Sequence, residues 1–171
     1  MKTDHIDALT RSLAGSFAFC GIAVARGGER HFSVGCAPGI VADQDTMFRV
    51  ASVSKVVTGA MVSDKVKDED ISPFLRFDQV DPKFLFRHPD WPDIPITGGM
   101  LASHSSGLSD VIGYSVPFGV SLQDWIAAKG PSIWSHHKPG THFSYSNLGY
   151  VVLGTALEQT ERFDHLATRF L

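Results

Sequence analysis

The spacing of hydrophobic and polar positions along this chain changes several times, and each change predicts an element. Asp4 to Leu13 predicts a helix. Phe17 to Ala25 and Arg30 to Cys36 are strand-like and are joined by Gly27-Gly28-Glu29, which predicts a hairpin. With the turn centred on Gly28, Val24 faces Phe32, Ile22 faces Val34 and Cys20 faces Cys36, giving one apolar face for packing on helices. Val53, Val56, Val57, Ala60 and Met61 fall at helical spacing with no proline among them. The stretch from Ser72 to Pro95 carries Pro73, Pro82, Pro89, Pro92 and Pro95, and predicts a meandering covering loop. Thr97 caps a short helix that Gly107 stops, and Ser121 with Asp124 boxes a helix that Gly130-Pro131 ends after Lys129. After the turn Pro139-Gly140 and an extended stretch comes a helix with Leu148, Val151, Val152, Thr155 and Ala156 inward. A further amphipathic helix begins at Phe163 and runs to Leu171. The elements form a mixed α/β pattern with an outer pair of strands packed on helices.

Composition narrows the class. With 171 residues and 43% hydrophobic content, the chain can bury a core as one domain, residues 1–171. Charged residues make up 19% and the formal net charge is −3, so no basic surface is expected to attract nucleic acid or an anionic membrane. No apolar run reaches the roughly 20 residues of a membrane-spanning helix. The N-terminus has no signal-peptide core, so a cytoplasmic location is expected, or a periplasmic one if a signal has been removed. In a reducing compartment Cys20 and Cys36 are expected as free thiols. Eight histidines include a cluster of His136, His137 and His142. No His-x-x-x-His pair with a carboxylate and no cysteine pair at zinc spacing accompany them, so neither metal nor other cofactor is expected.

The candidate chemistry starts at Ser52 and Lys55, three apart at the start of the apolar-periodic segment. Residues three apart on a helix share a face, which brings the lysine amine within reach of the serine hydroxyl. Desolvation and nearby cations favour the neutral amine, which can take the serine proton. The same pair is also what a helix-capping serine and a surface lysine would look like. Ser135 and Lys138 repeat the spacing, but Pro139-Gly140 follows and no helix is expected there. Tyr145-Ser146-Asn147 stands at the mouth of the later helix. A tyrosine there can shuttle a proton if cations lower its pKa, or it can simply pack a loop. Asn147 can offer its amide to substrate and to the lysine, or cap the helix. His104, in Ser103-His104-Ser105-Ser106-Gly107-Leu108, reads as a structural hydrogen-bonder in a helix-end motif.

These three segments, in this order, resemble the serine β-lactamase and penicillin-binding-protein superfamily, closest to its class C β-lactamase-like branch with its esterases and D,D-peptidases. The resemblance covers most of the chain and is most specific over Phe48 to Thr58, Ser103 to Leu108 and Gly140 to Gly154. It implies an antiparallel sheet flanked by helices. It also implies Ser52 as the acylated nucleophile, Lys55 and Tyr145 as proton-handling partners, and Asn147 with Ser146 as substrate-binding residues. Small esters, β-lactams or D-Ala-type amides are the implied substrates. The family's Lys-Thr-Gly or His-x-Gly segment is absent before Leu171. The expectation is therefore a domain incomplete at its C-terminus, weak in turnover, and prone to self-association or to completion by another chain. A remnant that only binds a ligand or partner is the alternative. Gly98-Gly99 stands where bulkier helix formers are usual, at roughly 1 kcal/mol per glycine.

Overall fold

Two glycines set the geometry of the N-terminal unit. In the computed structural model, which describes residues 3–43, 45–62, 64–75, 77 and 84–159, the chain forms two compact units, residues 1–50 and 51–171. The first unit holds α1 (Asp4–Leu13) and the antiparallel hairpin of β1 (Phe19–Arg26) and β2 (Glu29–Cys36). Gly27 and Gly28 have φ of 58° and 84° and close a two-residue turn that pairs Arg26 with Glu29. Both positions need the left-handed region, which glycine enters without a Cβ penalty.

This turn shifts the register by one residue from the expected pairing. Cys20 lies opposite Gly35, Ile22 opposite Ser33 and Val24 opposite His31. A one-residue shift moves a strand's whole side-chain set to the other face. Cys20, Ile22 and Val24 therefore share the α1 side with His31, Ser33 and Gly35, while Phe32, Val34 and Cys36 lie on the opposite side. The two cysteines are free thiols and are not cross-strand neighbours. Gly35 is fixed by close approach, because a Cβ there would stand 2.5 Å from the Thr10 carbonyl oxygen. His31 Nε2 and Asp7 Oδ1, 3.0 Å apart, also tie β2 to α1.

The second unit carries the larger core. A 3₁₀ turn over Ala51–Ser54 leads into α2 (Lys55–Ala60), followed by α3 (Asp64–Lys67), α4 (Gly98–Ala102), α5 (Leu122–Lys129) and α6 (Asn147–Glu158). Buried Val66, Leu101, Leu108, Leu148, Val152 and Leu153 lie at its centre. The proline-rich stretch is more than a cover. Ser72–Leu75 forms a 3₁₀ turn, and Leu75, Phe77, Phe86 and His88 are buried. Apolar side chains there outweigh the prolines, which break regular hydrogen bonding but do not prevent burial. The apolar face of the segment from Val53 to Met61 also departs from expectation: Val53, Val56 and Val57 are 68%, 73% and 46% exposed, and only Met61 of that set is buried.

Caps fall where the sequence puts them for α4 and α5, whereas at α6 the cap is Ser146 and not Asn147. Thr97 Oγ1 accepts from Met100 N, Ser121 Oγ from Asp124 N and Ser146 Oγ from Gly149 N. Helix α4 ends at Ala102 and not at Gly107, since His104 turns into the left-handed region at φ 57°. Its two glycines are sites of contact. A Cβ on Gly98 would lie 2.5 Å from the Val66 carbonyl oxygen, and one on Gly99 2.8 Å from that of Lys67. On α6, Val151 and Thr155 are only half-buried, and Gly149, Leu153 and Leu157 take inward places instead. The helix expected from Phe163 to Leu171 lies outside the described residues. No helix among the described residues is long and apolar enough to cross a membrane.

Candidate active site

Two stretches of chain, 104–109 and 133–144, are laced together by backbone bonds and place the start of α6. Ser109 N donates to Ile133 O at 2.8 Å, Ser135 N to Gly107 O at 2.8 Å, Gly140 N to Ser105 O at 2.7 Å and Ser144 N to His104 O at 2.8 Å. The second Ser-x-x-Lys lies in this lacing: Ser135 O meets His88 Nε2 at 2.7 Å, and Ser135 Oγ accepts from His137 N. It is a loop, as its sequence implied.

The laced frame brings Tyr145 and Asn147 to the start of the Ala51–Ala60 segment. Tyr145 OH donates to Ser52 Oγ at 2.9 Å. Lys55 Nζ donates to Ser52 Oγ at 3.2 Å and to Asn147 Oδ1 at 2.7 Å. The ammonium also lies 5.1 Å from the Tyr145 ring centroid and 5.4 Å from that of Tyr150, within cation–π range. Four of the five residues singled out in the sequence thus meet at one point. Ser52 is exposed, so its hydroxyl is open to an incoming molecule. The fifth, Ser146, is 1% exposed, with its hydroxyl donating to Asp110 and accepting from Gly149 N. A side chain so enclosed caps α6 and has no surface to offer a substrate.

Electrostatics single out Tyr145. Its phenol is pulled below the ordinary tyrosine value, first by the Lys55 ammonium beside it and then by the hydrogen bond to Ser52. His104 is also lowered, by burial and then by the Lys55 charge, which favours its neutral form. Its Nδ1 accepts the Ser146 N–H at 3.2 Å, which leaves the ring proton on Nε2. The imidazole lies on the Tyr145 ring with centroids 4.4 Å apart and touches Tyr150 and Phe143 at 5.0 and 5.7 Å. His104 is thus a structural hydrogen-bonder that also packs Tyr145 into place. Ala51, immediately before Ser52, has φ 47°, a left-handed value that costs an alanine of order 1 kcal/mol and is often found beside reacting groups.

The sequence reading missed Asp110. Its Oδ2 accepts from Asn147 N at 2.7 Å and Asn147 Nδ2 at 2.9 Å, and its Oδ1 from Ser146 Oγ at 2.9 Å and Leu148 N at 3.1 Å. Burial raises this carboxyl, but the Asn147 and Leu148 N–H groups and the two side-chain donors outweigh it and hold the group below the ordinary aspartate range. Ser109-Asp110 reads locally as a loop dipeptide, and only its nearness to α6 would have marked it. Among the described residues no group of three His, Cys, Asp or Glu side chains is placed to hold a metal ion. His137 and His142 stack at 3.8 Å, and no third ligand joins them among the described residues.

Comparison with known proteins bears on the family and the fold of the chain. The sequence model of the Beta-lactamase family matches residues 7–169. Beta-lactamase-like protein 4 of Dictyostelium discoideum is 37% identical over 131 residues, 71% of this chain and 22% of that protein. The probable fimbrial assembly protein FimD, serogroup H1, of Dichelobacter nodosus is 31% identical over 124 residues, 67% of this chain and 29% of that protein. The crystal structure of D-amino acid amidase from Ochrobactrum anthropi SV3, complexed with L-phenylalanine amide, superposes with a TM-score of 0.62 at 22% identity. It covers 98% of this chain and 49% of that one. The chain thus spans under a third of the curated relatives it matches and about half of the solved structure. With nearly its whole length matched by the family's sequence model and its fold shared with the amidase, the chain belongs to the Beta-lactamase family.

Proposed function

We propose that this chain carries the nucleophile and proton-handling residues of a serine hydrolase that works by acyl transfer through Ser52. The observation that carries the reading is the position of Ser52 Oγ between Tyr145 OH at 2.9 Å and Lys55 Nζ at 3.2 Å. Tyr145, acidified by Lys55, takes the Ser52 proton in its phenolate form as Oγ bonds to the substrate carbonyl carbon. The helical start of the Ala51–Ala60 segment supplies backbone N–H groups of the kind that favour negative charge on the carbonyl oxygen. As the carbonyl re-forms, the bond to the leaving oxygen or nitrogen breaks, and that atom takes the proton back from Tyr145. A water molecule then attacks the Ser52 ester by the same route, giving the acid and free Ser52.

Asn147 offers its amide to the substrate while its carbonyl oxygen holds Lys55. Small esters, β-lactams and D-Ala-type amides are the substrate classes. Similarity to a protein described as a D-amino acid amidase supports placing amides of amino acids among them. The test is hydrolysis of p-nitrophenyl esters and of a chromogenic cephalosporin. Ser52→Ala is expected to abolish turnover and Lys55→Ala to lower it by about 100-fold or more. Equal turnover by wild type and Ser52→Ala would refute the reading.

A further inference from the structure

The Asn147 carboxamide has two ends of nearly equal shape and opposite hydrogen-bonding sense. Only one orientation suits its surroundings. Oδ1 accepts from the Lys55 ammonium at 2.7 Å, and Nδ2 donates to Asp110 Oδ2 at 2.9 Å. The same carboxylate oxygen accepts the Asn147 backbone N–H at 2.7 Å, so one atom holds the residue at both root and tip. Turned over, the amide would aim its NH₂ at an ammonium and its oxygen at a carboxylate, replacing two attractions by two repulsions. The carboxylate has little freedom of its own, because Ser146 Oγ and Leu148 N occupy its other oxygen. Its backbone follows Leu108, which is bridged to Trp134, and Ser109, whose N–H is bonded to Ile133 O. Its charge also lies at the N-terminal end of α6, where the helix dipole favours an anion.

We propose that Asp110 is a positioning residue for the Ser52 site, acting through Asn147. It fixes the carboxamide so that the carbonyl faces Lys55, and that carbonyl steers the lysine Nζ onto Ser52 Oγ. The proposal rests on the reading that Ser52 is acylated, and an anchor that only secured α6 would have no such reach. Asp110→Asn keeps the size of the side chain, removes the charge and sets an NH₂ against N–H donors.

The experiment measures acylation by a fluorescent penicillin in wild type, Asp110→Asn, Asn147→Ala and the double variant. It also records the Asn147 side-chain amide NMR signals of the resting protein. Asp110→Asn is expected to slow acylation by about 10- to 100-fold, the scale of removing an orienting partner from behind a functional group. The double variant is expected to be no slower than Asn147→Ala, because both changes break the same chain of contacts. The Asn147 amide protons are expected to lose their protection from exchange in Asp110→Asn. Multiplying rate losses in the double variant, or amide signals unchanged in Asp110→Asn, would overturn the proposal. If wild type takes up no probe, the acyl-transfer reading fails, and the amide signals still decide whether Asp110 orients Asn147. If Asp110→Asn does not fold, Asp110→Glu, which keeps the charge but displaces it by one methylene, supplies the same comparison.

Discussion

At the scale of single residues, Tyr145 matters because of what stands beside it. The Lys55 ammonium and the Ser52 hydroxyl both stabilise its phenolate, so its ionisation moves below the ordinary tyrosine value of 10.0. The sign of the consequence follows directly. A base works in its deprotonated form, which gains population as pH rises through the lowered pKa. Acylation of Ser52 should therefore climb with pH along a limb that begins below the range of a free phenol. Tyr145→Phe should lose that limb and fall by about 10²–10⁴ in rate, as measured by probe uptake across pH. An unchanged pH profile in Tyr145→Phe would remove the tyrosine from the chemistry. Ser52 and Lys55 were legible in the sequence because three residues of helix hold them together. Tyr145 and Asn147 were legible through their place at a helix mouth. Asp110 was not, since its four donors come from residues 146–148, and no local pattern records a contact across more than 30 residues.

At the scale of elements, patterns with a local cause were readable and those set by close approach were not. Helices α1 and α5 and the Thr97 and Ser121 caps follow from period and capping chemistry, whereas the α6 cap lies one residue before the Asn147 that the sequence offered. The hairpin existed in the sequence, but its register depended on whether the turn held two residues or three, and both readings use the same glycines. Gly98 shows the opposite kind of error. By propensity, Gly98→Ala should stabilise α4 by roughly 1 kcal/mol. The added Cβ would instead stand 2.5 Å from the Val66 carbonyl oxygen, a backbone atom that cannot rotate aside. Gly98→Ala should therefore lower stability by about 1–3 kcal/mol in urea unfolding. A gain of stability would show that α3 and α4 are not packed as described.

At the scale of the whole molecule, the chain divides into a helix–hairpin unit and a helical unit, and all the site residues lie in the second. The three motifs identified the family because their order, more than any one of them, is specific, and the family match over residues 7–169 agrees. The open side of the Ala51–Ala60 segment, with Val53, Val56 and Val57 exposed, was not legible, because a periodic apolar face looks the same whether or not anything covers it. The site itself can be examined in the intact protein by mass spectrometry after reaction with a fluorophosphonate. One adduct per chain is predicted, on the peptide containing Ser52, with uptake lost in Ser52→Ala and slowed by about 100-fold or more in Lys55→Ala. An adduct on Ser135 or any other residue, or undiminished uptake in Ser52→Ala, would contradict the assignment of Ser52 as the nucleophile.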